Sequence, residues 1–368
     1  MKVILSHKIK LKPNNEQETF LKQSCGVSRF GYNLALEVWN KEYDAGNKPS
    51  LFSVKKLVNA MKKELAPWSY NVSKCCIEES IIDLGRAFNN FFKVGNTRHP
   101  TFKKKGIKDR FRLNNENFKF IGNSHIQIAK LKNPIRLAES LRFKGKILSC
   151  TISRQADKWF ASVNLELDWD SEQYQQQEPS CVGVDLGVKS LAVLSDGAVF
   201  EGLKPHKAAL KKLRKLNKDL ARKVKGSHNW HKCKLRLAKC HARIANIRKD
   251  YLHNLTTHLV KNFSIICIED LNVKGMSKNH CLARSILDGG FGLFKAMLDY
   301  KSKLYKVTLI KADRFFPSTK TCSGCGTIHD MPLNKREMNC QCGLKIDRDV
   351  NAAINLKNYG LKAVGSPA

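Results

Sequence analysis

Three carboxylates stand where a carboxylate is expensive or conspicuous. Asp185 lies inside the apolar stretch Val182-Gly183-Val184-Asp185-Leu186-Gly187. Glu269 ends the apolar run Ile265-Ile266-Cys267-Ile268 and is followed by Asp270. Asp349 belongs to Asp347-Arg348-Asp349-Val350-Asn351-Ala352-Ala353, just ahead of a helical pattern. An acid in an apolar strand needs something to pair it. Acids at strand ends and at a helix start can converge on one point, and such a cluster repels itself unless divalent cations neutralise it. Oxygen-only ligation suits Mg²⁺ or Mn²⁺. Two such ions about 3.5–4 Å apart are the apparatus of in-line phosphodiester hydrolysis. Each acid also has a plainer reading: Asp185 as a buried structural pair, Glu269-Asp270 as a strand end, Asp349 as a helix N-cap. Together, on a strongly basic chain, they favour phosphodiester chemistry.

A second constellation is made of sulfur. The knuckle Cys322-Ser323-Gly324-Cys325 is followed by Cys340-Gln341-Cys342-Gly343. Four thiolates in two knuckles suit one tetrahedral Zn²⁺, and four protein ligands leave no open position, so the site reads as structural. The C-x-C second knuckle is shorter than the usual C-x-x-C. The remaining nine of the 13 cysteines are scattered, apart from the pair Cys75-Cys76. That placement reads as one metal site plus ordinary thiols in a reducing compartment, not as a disulfide framework.

The charge indicates the partner. The 368 residues carry 66 Lys+Arg against 32 Asp+Glu, a formal net charge of +34. Such a chain repels itself until a polyanion neutralises it, and nucleic acid is the obvious polyanion. The stretch 204–250 holds 17 Lys and Arg against only Asp219 and Asp250. A merely solvated helix would interleave both signs. Lys103, Lys104 and Lys105, beside Phe102, form a second candidate phosphate-binding element. No apolar run reaches the roughly 18 residues needed to span a bilayer, and the N-terminal apolar stretch is too short for a signal peptide. The expectation is a cytoplasmic protein with no membrane partner.

Residues 1–12 alternate apolar and basic like an edge strand, broken by Lys12-Pro13-Asn14-Asn15. Helical periodicity follows over 16–43, 54–65 and 74–93. Alternation returns over 110–168, which reads as an antiparallel, barrel-like β unit joined by the N-terminal strand. The Gln-rich stretch 171–180 reads as a linker. From Cys181 onward strands and helices alternate: strands over 182–188, 190–194, 265–269 and 306–312, helices over 204–250 and 291–304, and a last helix over 350–358. The fold class is mixed α/β with more than one domain.

The motifs carry a family resemblance. Gly183-Val184-Asp185-Leu186-Gly187-Val188 with the Asp196-Gly197 hairpin resembles the first RuvC motif. Ile268-Glu269-Asp270-Leu271-Asn272 resembles the second, and Asp347 through Leu356 the third. The stretch Asp313-Arg314-Phe315-Phe316-Pro317-Ser318-Thr319-Lys320-Thr321-Cys322 and the N-terminal Pro13-Asn14-Asn15-Glu16-Gln17 are also similar to TnpB proteins, relatives of the type V CRISPR effectors. The third motif joined to the cysteine cluster is the most specific part of this resemblance, which covers nearly the whole chain.

The resemblance implies a transposon-encoded, RNA-guided DNA endonuclease that cuts double-stranded target DNA beside a short adjacent motif. Its guide RNA would derive from the transposon end. It implies an OB-like β-barrel (wedge) over 1–15 and 94–170, an inserted helical recognition domain over 16–93, a linker at 171–180, and an RNase H-like (RuvC) nuclease domain over 181–368 with a zinc ribbon at 318–346. Asp185, Glu269 and Asp349 take the three catalytic, Mg²⁺-binding positions; Asp347 competes with Asp349, which directly precedes the Asn-Ala-Ala helix. Lys74, at the helix starting near Ser73, is implied to face the DNA. The rivals are a catalytically silent RNA-guided repressor, expected to lack one or more of the acids, and a conventional DDE-type DNA transposase. An actin-like ATPase would need a second Gly-rich phosphate loop, which the sequence lacks.

Overall fold

The N-terminal strand β1 (Lys2–Lys12) ends at Pro13, and Asn14 then caps α1 (Asn15–Asp44). The cap is reciprocal: the Asn14 side chain accepts from the Gln17 amide at 2.8 Å while the Gln17 side chain accepts from the Asn14 amide at 2.9 Å. Two further helices follow, α2 (Leu51–Leu65) and α3 (Cys75–Lys93). Helices α1 and α3 cross closely at Gly31, where a Cβ would meet the Ile77 Cα at 3.1 Å. Trp39 stacks on Phe88 nearby, with centroids 4.2 Å apart. The computed structural model describes residues 1–93, 97–170, 180–332 and 334–365. The Gln-rich linker stretch, Ser180 excepted, lies outside the described residues.

After the helices come β2 (Arg110–Asn114), β3 (Phe118–Ile121), β4 (His125–Ile128), β5 (Ile135–Leu137), β6 (Lys146–Gln155) and β7 (Lys158–Asp168). With β1 they form one seven-stranded antiparallel sheet in the order β2-β6-β7-β1-β5-β4-β3. The two edge strands, β2 and β3, are joined by a single tight turn over Asn115–Asn117, so the sheet curls into a nearly closed barrel. Ile9, Leu11, Phe111, Leu113, Ile152, Val163 and Leu165 fill its interior. β1 is not an edge strand. It pairs with β7 along its length, Lys2↔Asp168 through Leu11↔Trp159, and with β5 at Leu11↔Leu137. Its basic residues suggested an edge because lysines blunt edges; here they occupy the outer face of a central strand. Residues 2–168 make one compact unit.

The second unit comprises 169–368 with Met1. Its strands are β8 (Cys181–Asp185), β9 (Ser190–Leu194), β10 (Val199–Glu201), β11 (Ile265–Glu269) and β12 (Thr308–Ala312). They lie in the order β10-β9-β8-β11-β12, with β8, β11 and β12 parallel and β9 and β10 antiparallel to their neighbours. Between them run α4 (Pro205–Ala221), α5 (His228–Asn262), α6 (Val273–Met276), α7 (Ala283–Gly289) and α8 (Phe291–Tyr305). The chain closes with β13 (Glu337–Asn339), β14 (Lys345–Asp347) and α9 (Arg348–Ala363). Leu252, Leu255 and Leu259 of α5 and Phe291, Phe294 and Leu298 of α8 pack one core against the sheet. Leu356 of α9 joins Cys267 and Ala312 in another. Sheet faces covered twice explain why β8, β9 and β11 read as unbroken apolar runs. β8 stops at Asp185, shorter than its apolar run, because Gly187 already donates back to the Leu191 carbonyl at 3.3 Å. Among the described residues, no helix is long and apolar enough to cross a membrane.

Candidate functional site

The acid cluster is built by one close crossing. Gly183 of β8 faces α9 so tightly that a Cβ there would lie 1.9 Å from the Ala353 carbonyl oxygen and 2.5 Å from the Lys357 amide nitrogen. Only glycine permits that approach. Two residues along β8 the side chain returns to the same face, giving Asp185. One turn back along α9 from Ala353 is Asp349. On the other side, Cys181 reaches the Lys357 carbonyl at 3.7 Å. The helix thus runs antiparallel to the strand, and each two-residue step of β8 matches about one turn of α9. This pairing brings Asp349 over Asp185. Glu269 arrives on the neighbouring strand, where Val184 pairs with Ile268 one residue before both acids.

Electrostatics report the same convergence. Asp185 is only 7% exposed. Burial first, then the charges of Glu269 and Asp349, push its carboxyl up to about 8, with Arg348 acting the other way. Among the described residues no side chain hydrogen-bonds or salt-bridges this carboxylate. Asp185 itself bears no protein cation, whereas Arg336 lies 3.9 Å from the Asp349 carboxylate; carboxylate oxygens of this kind are the donors a hard divalent cation takes.

The acids beside these three have other tasks. Asp347 caps α9, accepting from the Asp349 amide at 2.8 Å and the Val350 amide at 3.3 Å. Asp270 is held by Lys295 and Arg314, each at 2.6 Å. Those hydrogen bonds keep its carboxyl down at about 2. Sequence reasoning missed four residues that position the cluster. Ser318 donates to the Glu269 carboxylate. Arg314 fixes the loop after β12 through Asp270. Asn355 of α9 donates to the carbonyls of Ser318 (2.8 Å) and Thr321 (2.6 Å). Asn351 donates to Thr321 (2.7 Å) and accepts from the Ser323 amide (2.9 Å). The signal for the asparagines was present: two amides four apart on one face of an apolar helix.

The four cysteines Cys322, Cys325, Cys340 and Cys342 come together, their sulfur atoms all within 4.8 Å of one another. Cys322 and Cys342 are 3.7 Å apart and Cys325 and Cys340 3.4 Å. Zn–S bonds of about 2.3 Å in a tetrahedron demand sulfur separations of about 3.8 Å, so the donor set fits zinc. His329 places Nε2 3.2 Å from the Cys340 sulfur.

The lysines belong to the first unit. Lys104 and Lys105 are exposed. Lys103 is partly buried, with its ammonium over the Tyr32 ring at 3.5 Å, and burial lowers it to about 8. All but Lys105 line a cavity of about 640 Å³ with Arg29, His99 and Phe102. Lys74 is exposed just before α3, in a cavity of about 390 Å³ with Lys62, Tyr70 and Lys130.

With this geometry in place, likeness to known proteins is informative. Residues 162–280 match the family described as "Probable transposase" (OrfB_IS605) and residues 291–356 the "Cas12f1-like, TNB domain". Residues 1–48 match a family described as "Helix-turn-helix domain"; here they form β1 and the single long helix α1. A Streptomyces pristinaespiralis protein is 35% identical over 97% of this chain and 89% of its own length. An Escherichia coli K12 protein is 35% identical over 98% and 93%. Both bear the name "Putative RNA-guided DNA endonuclease", the second with the suffix InsQ. The "TnpB-like protein L79" of Acanthamoeba polyphaga mimivirus is 25% identical over 98% of this chain and 74% of its own. The chain belongs to the TnpB family of transposon-encoded proteins.

Proposed function

We propose that this protein is an RNA-guided, metal-dependent DNA endonuclease that cuts double-stranded target DNA beside a short adjacent motif, with Asp185, Glu269 and Asp349 as its catalytic acids. The observation that carries the reading is the convergence of Glu269 and Asp349 on the buried, unpaired carboxylate of Asp185. The relatives' names and the charge of +34 support a nucleic-acid substrate. Mg²⁺ or Mn²⁺ held by the three acids would offset their mutual repulsion and the charge of the attacked phosphate. The chain's own part is positioning. Ser318 orients Glu269, the Gly183 crossing sets Asp349 over Asp185, and Asp347 fixes the start of α9. The reaction joins a water oxygen to phosphorus and breaks one phosphorus–oxygen ester bond.

In this reading residues 181–368 are an RNase H-like (RuvC) domain with a zinc ribbon at 318–346. Support comes from the sheet order, two antiparallel strands on one side of β8 and two parallel ones on the other, and from the sulfur cluster. Residues 1–15 and 94–170 act as an OB-like wedge barrel and 16–93 as the recognition helices. A guide RNA from the transposon end supplies sequence reading by base pairing. Lys103, Lys104, Lys105 and Lys74 contact phosphate, with Lys103 held in place by Tyr32.

The test is plasmid cleavage by the protein–RNA complex in Mg²⁺, beside a binding control. Asp185→Ala should abolish cleavage and leave RNA and DNA binding intact, because binding rests on Lys, Arg and base pairing. Asp347→Ala removes a cap worth about 1 kcal/mol and should keep more activity than Asp349→Ala. Normal cleavage by Asp185→Ala would end the reading; an inactive Asp347→Ala beside an active Asp349→Ala would exchange those two roles.

A further inference from the structure

The loop after β12 carries an aromatic ring that nothing covers. Phe315 is 87% exposed, more than any other large apolar side chain among the described residues. Its own amide and the side chains of its neighbours nevertheless hold the loop in place. The Phe315 amide donates to Asp313 Oδ1 at 2.8 Å. Arg314, before it, is tied to Asp270 at 2.6 Å. Phe316, after it, packs on Tyr359 of α9 with centroids 4.9 Å apart. Three residues on, Ser318 holds Glu269. A bare ring on a loop anchored to Asp270, the residue after Glu269, and to Glu269 itself is a prepared surface.

We propose that Phe315 is a stacking platform for a nucleobase of the strand being cut. The inference rests on the nuclease reading above. Base–aromatic stacking tolerates any sequence, because every base has a π face. It requires a strand whose bases are unstacked, so the site takes a single-stranded stretch; a duplex covers both faces of each base. The exposed cation Lys320 on the same segment suits a flanking phosphate.

The experiment uses the full protein purified with its own RNA, and single-stranded DNA that matches the guide and extends beyond the paired segment, carrying 2-aminopurine at one position at a time in the unpaired extension. In the Asp185→Ala background, which holds the DNA uncut, 2-aminopurine near the scissile position should be quenched by stacking. Adding Phe315→Leu should restore its fluorescence, and Phe315→Trp should keep it quenched. In the otherwise wild-type enzyme, Phe315→Leu should lower kcat/KM by roughly 5- to 150-fold, with unchanged melting temperature because the side chain is exposed. Quenching that survives Phe315→Leu at every position, or an unaltered kcat/KM, would overturn the proposal. So would an unaltered kcat/KM accompanied by loss of self-association, which would assign the ring to a second copy of the chain. If the wild-type complex cut no DNA, the nuclease reading would fall, while the quenching would still decide whether Phe315 stacks a base.

Discussion

Gly183→Ala tests the crossing on which the acid cluster depends. The added methyl would lie 1.9 Å from the Ala353 carbonyl oxygen and 2.5 Å from the Lys357 nitrogen. Both are backbone atoms, so no rotamer change makes room. Restoring even a 3.0 Å contact moves α9 away by about 1.1 Å. Overpacking of this kind costs about 1–3 kcal/mol, and in a unit of this size each kcal/mol lowers Tm by roughly 2–4 °C. The activity loss should be larger than the stability loss suggests. Asp349 rides on the displaced helix, and a misplacement of about 1 Å costs on the order of 10²-fold in rate. The assays are a thermal melt and the initial rate of plasmid cleavage in Mg²⁺. An enzyme with normal rate and normal Tm would refute the argument. Rescue by Ala353→Gly would refute it equally, since removing that side chain leaves the blocking carbonyl in place.

Elemental analysis should find one zinc per chain, lost in Cys322→Ser with Cys342→Ser; an unchanged zinc content in the double variant would rule out the cysteine site. Nucleic-acid affinity should fall by about a thousandfold or more between roughly 50 and 200 mM salt, as for proteins contacting 6–10 phosphates; a flat filter-binding titration would contradict an extended phosphate interface. Lys301 is buried in α8, donating to the His253 carbonyl and the Thr256 and Thr257 hydroxyls at 2.6–2.8 Å, and burial lowers its ammonium to about 8. The unfolded chain holds that proton up to about pH 10.4, so between these values the unfolded state binds more protons and stability rises with pH. Lys301→Met should therefore raise Tm at pH 7 by roughly 2–4 °C and flatten the rise between pH 8 and 10; a lower Tm at pH 7 would show that the three hydrogen bonds outweigh burial.

Apolar runs announced the strands of the second unit because both sheet faces are covered, and β11 falls on the expected residues 265–269. Periodicity also found α1, α3 and α8 to within a residue or so. The basic stretch 204–250 proved to be two helices, α4 and α5, the second continuing to Asn262. The break falls at Lys223-Val224-Lys225-Gly226, where only Gly226, at φ 89°, marks the turn. The three acids were legible one by one, since each breaks a local pattern, and their convergence was expected. The contact that sets Asp349 over Asp185 was not legible, because it depends on Gly183 meeting a helix far along the chain. Nor was the role of Ser318, whose neighbours in sequence give no sign that its hydroxyl faces Glu269. Long-range contacts of single polar atoms leave no periodic trace in a sequence.

Helix α9 concentrates several constraints in one short segment. Asp349 joins the acids, Ala353 lies against Gly183, and Asn351 and Asn355 hold the start of the cysteine ribbon. Each residue of a helix advances the direction of its side chain by about 100°. Inserting or deleting one residue between 349 and 355 would therefore turn part of this set away from its partners while leaving a perfectly good helix. Substitutions here can be graded, but changes of length cannot. Among divergent copies of such a mobile gene, length variation should collect elsewhere, in loops such as the one between α4 and α5, and should be missing from these seven positions.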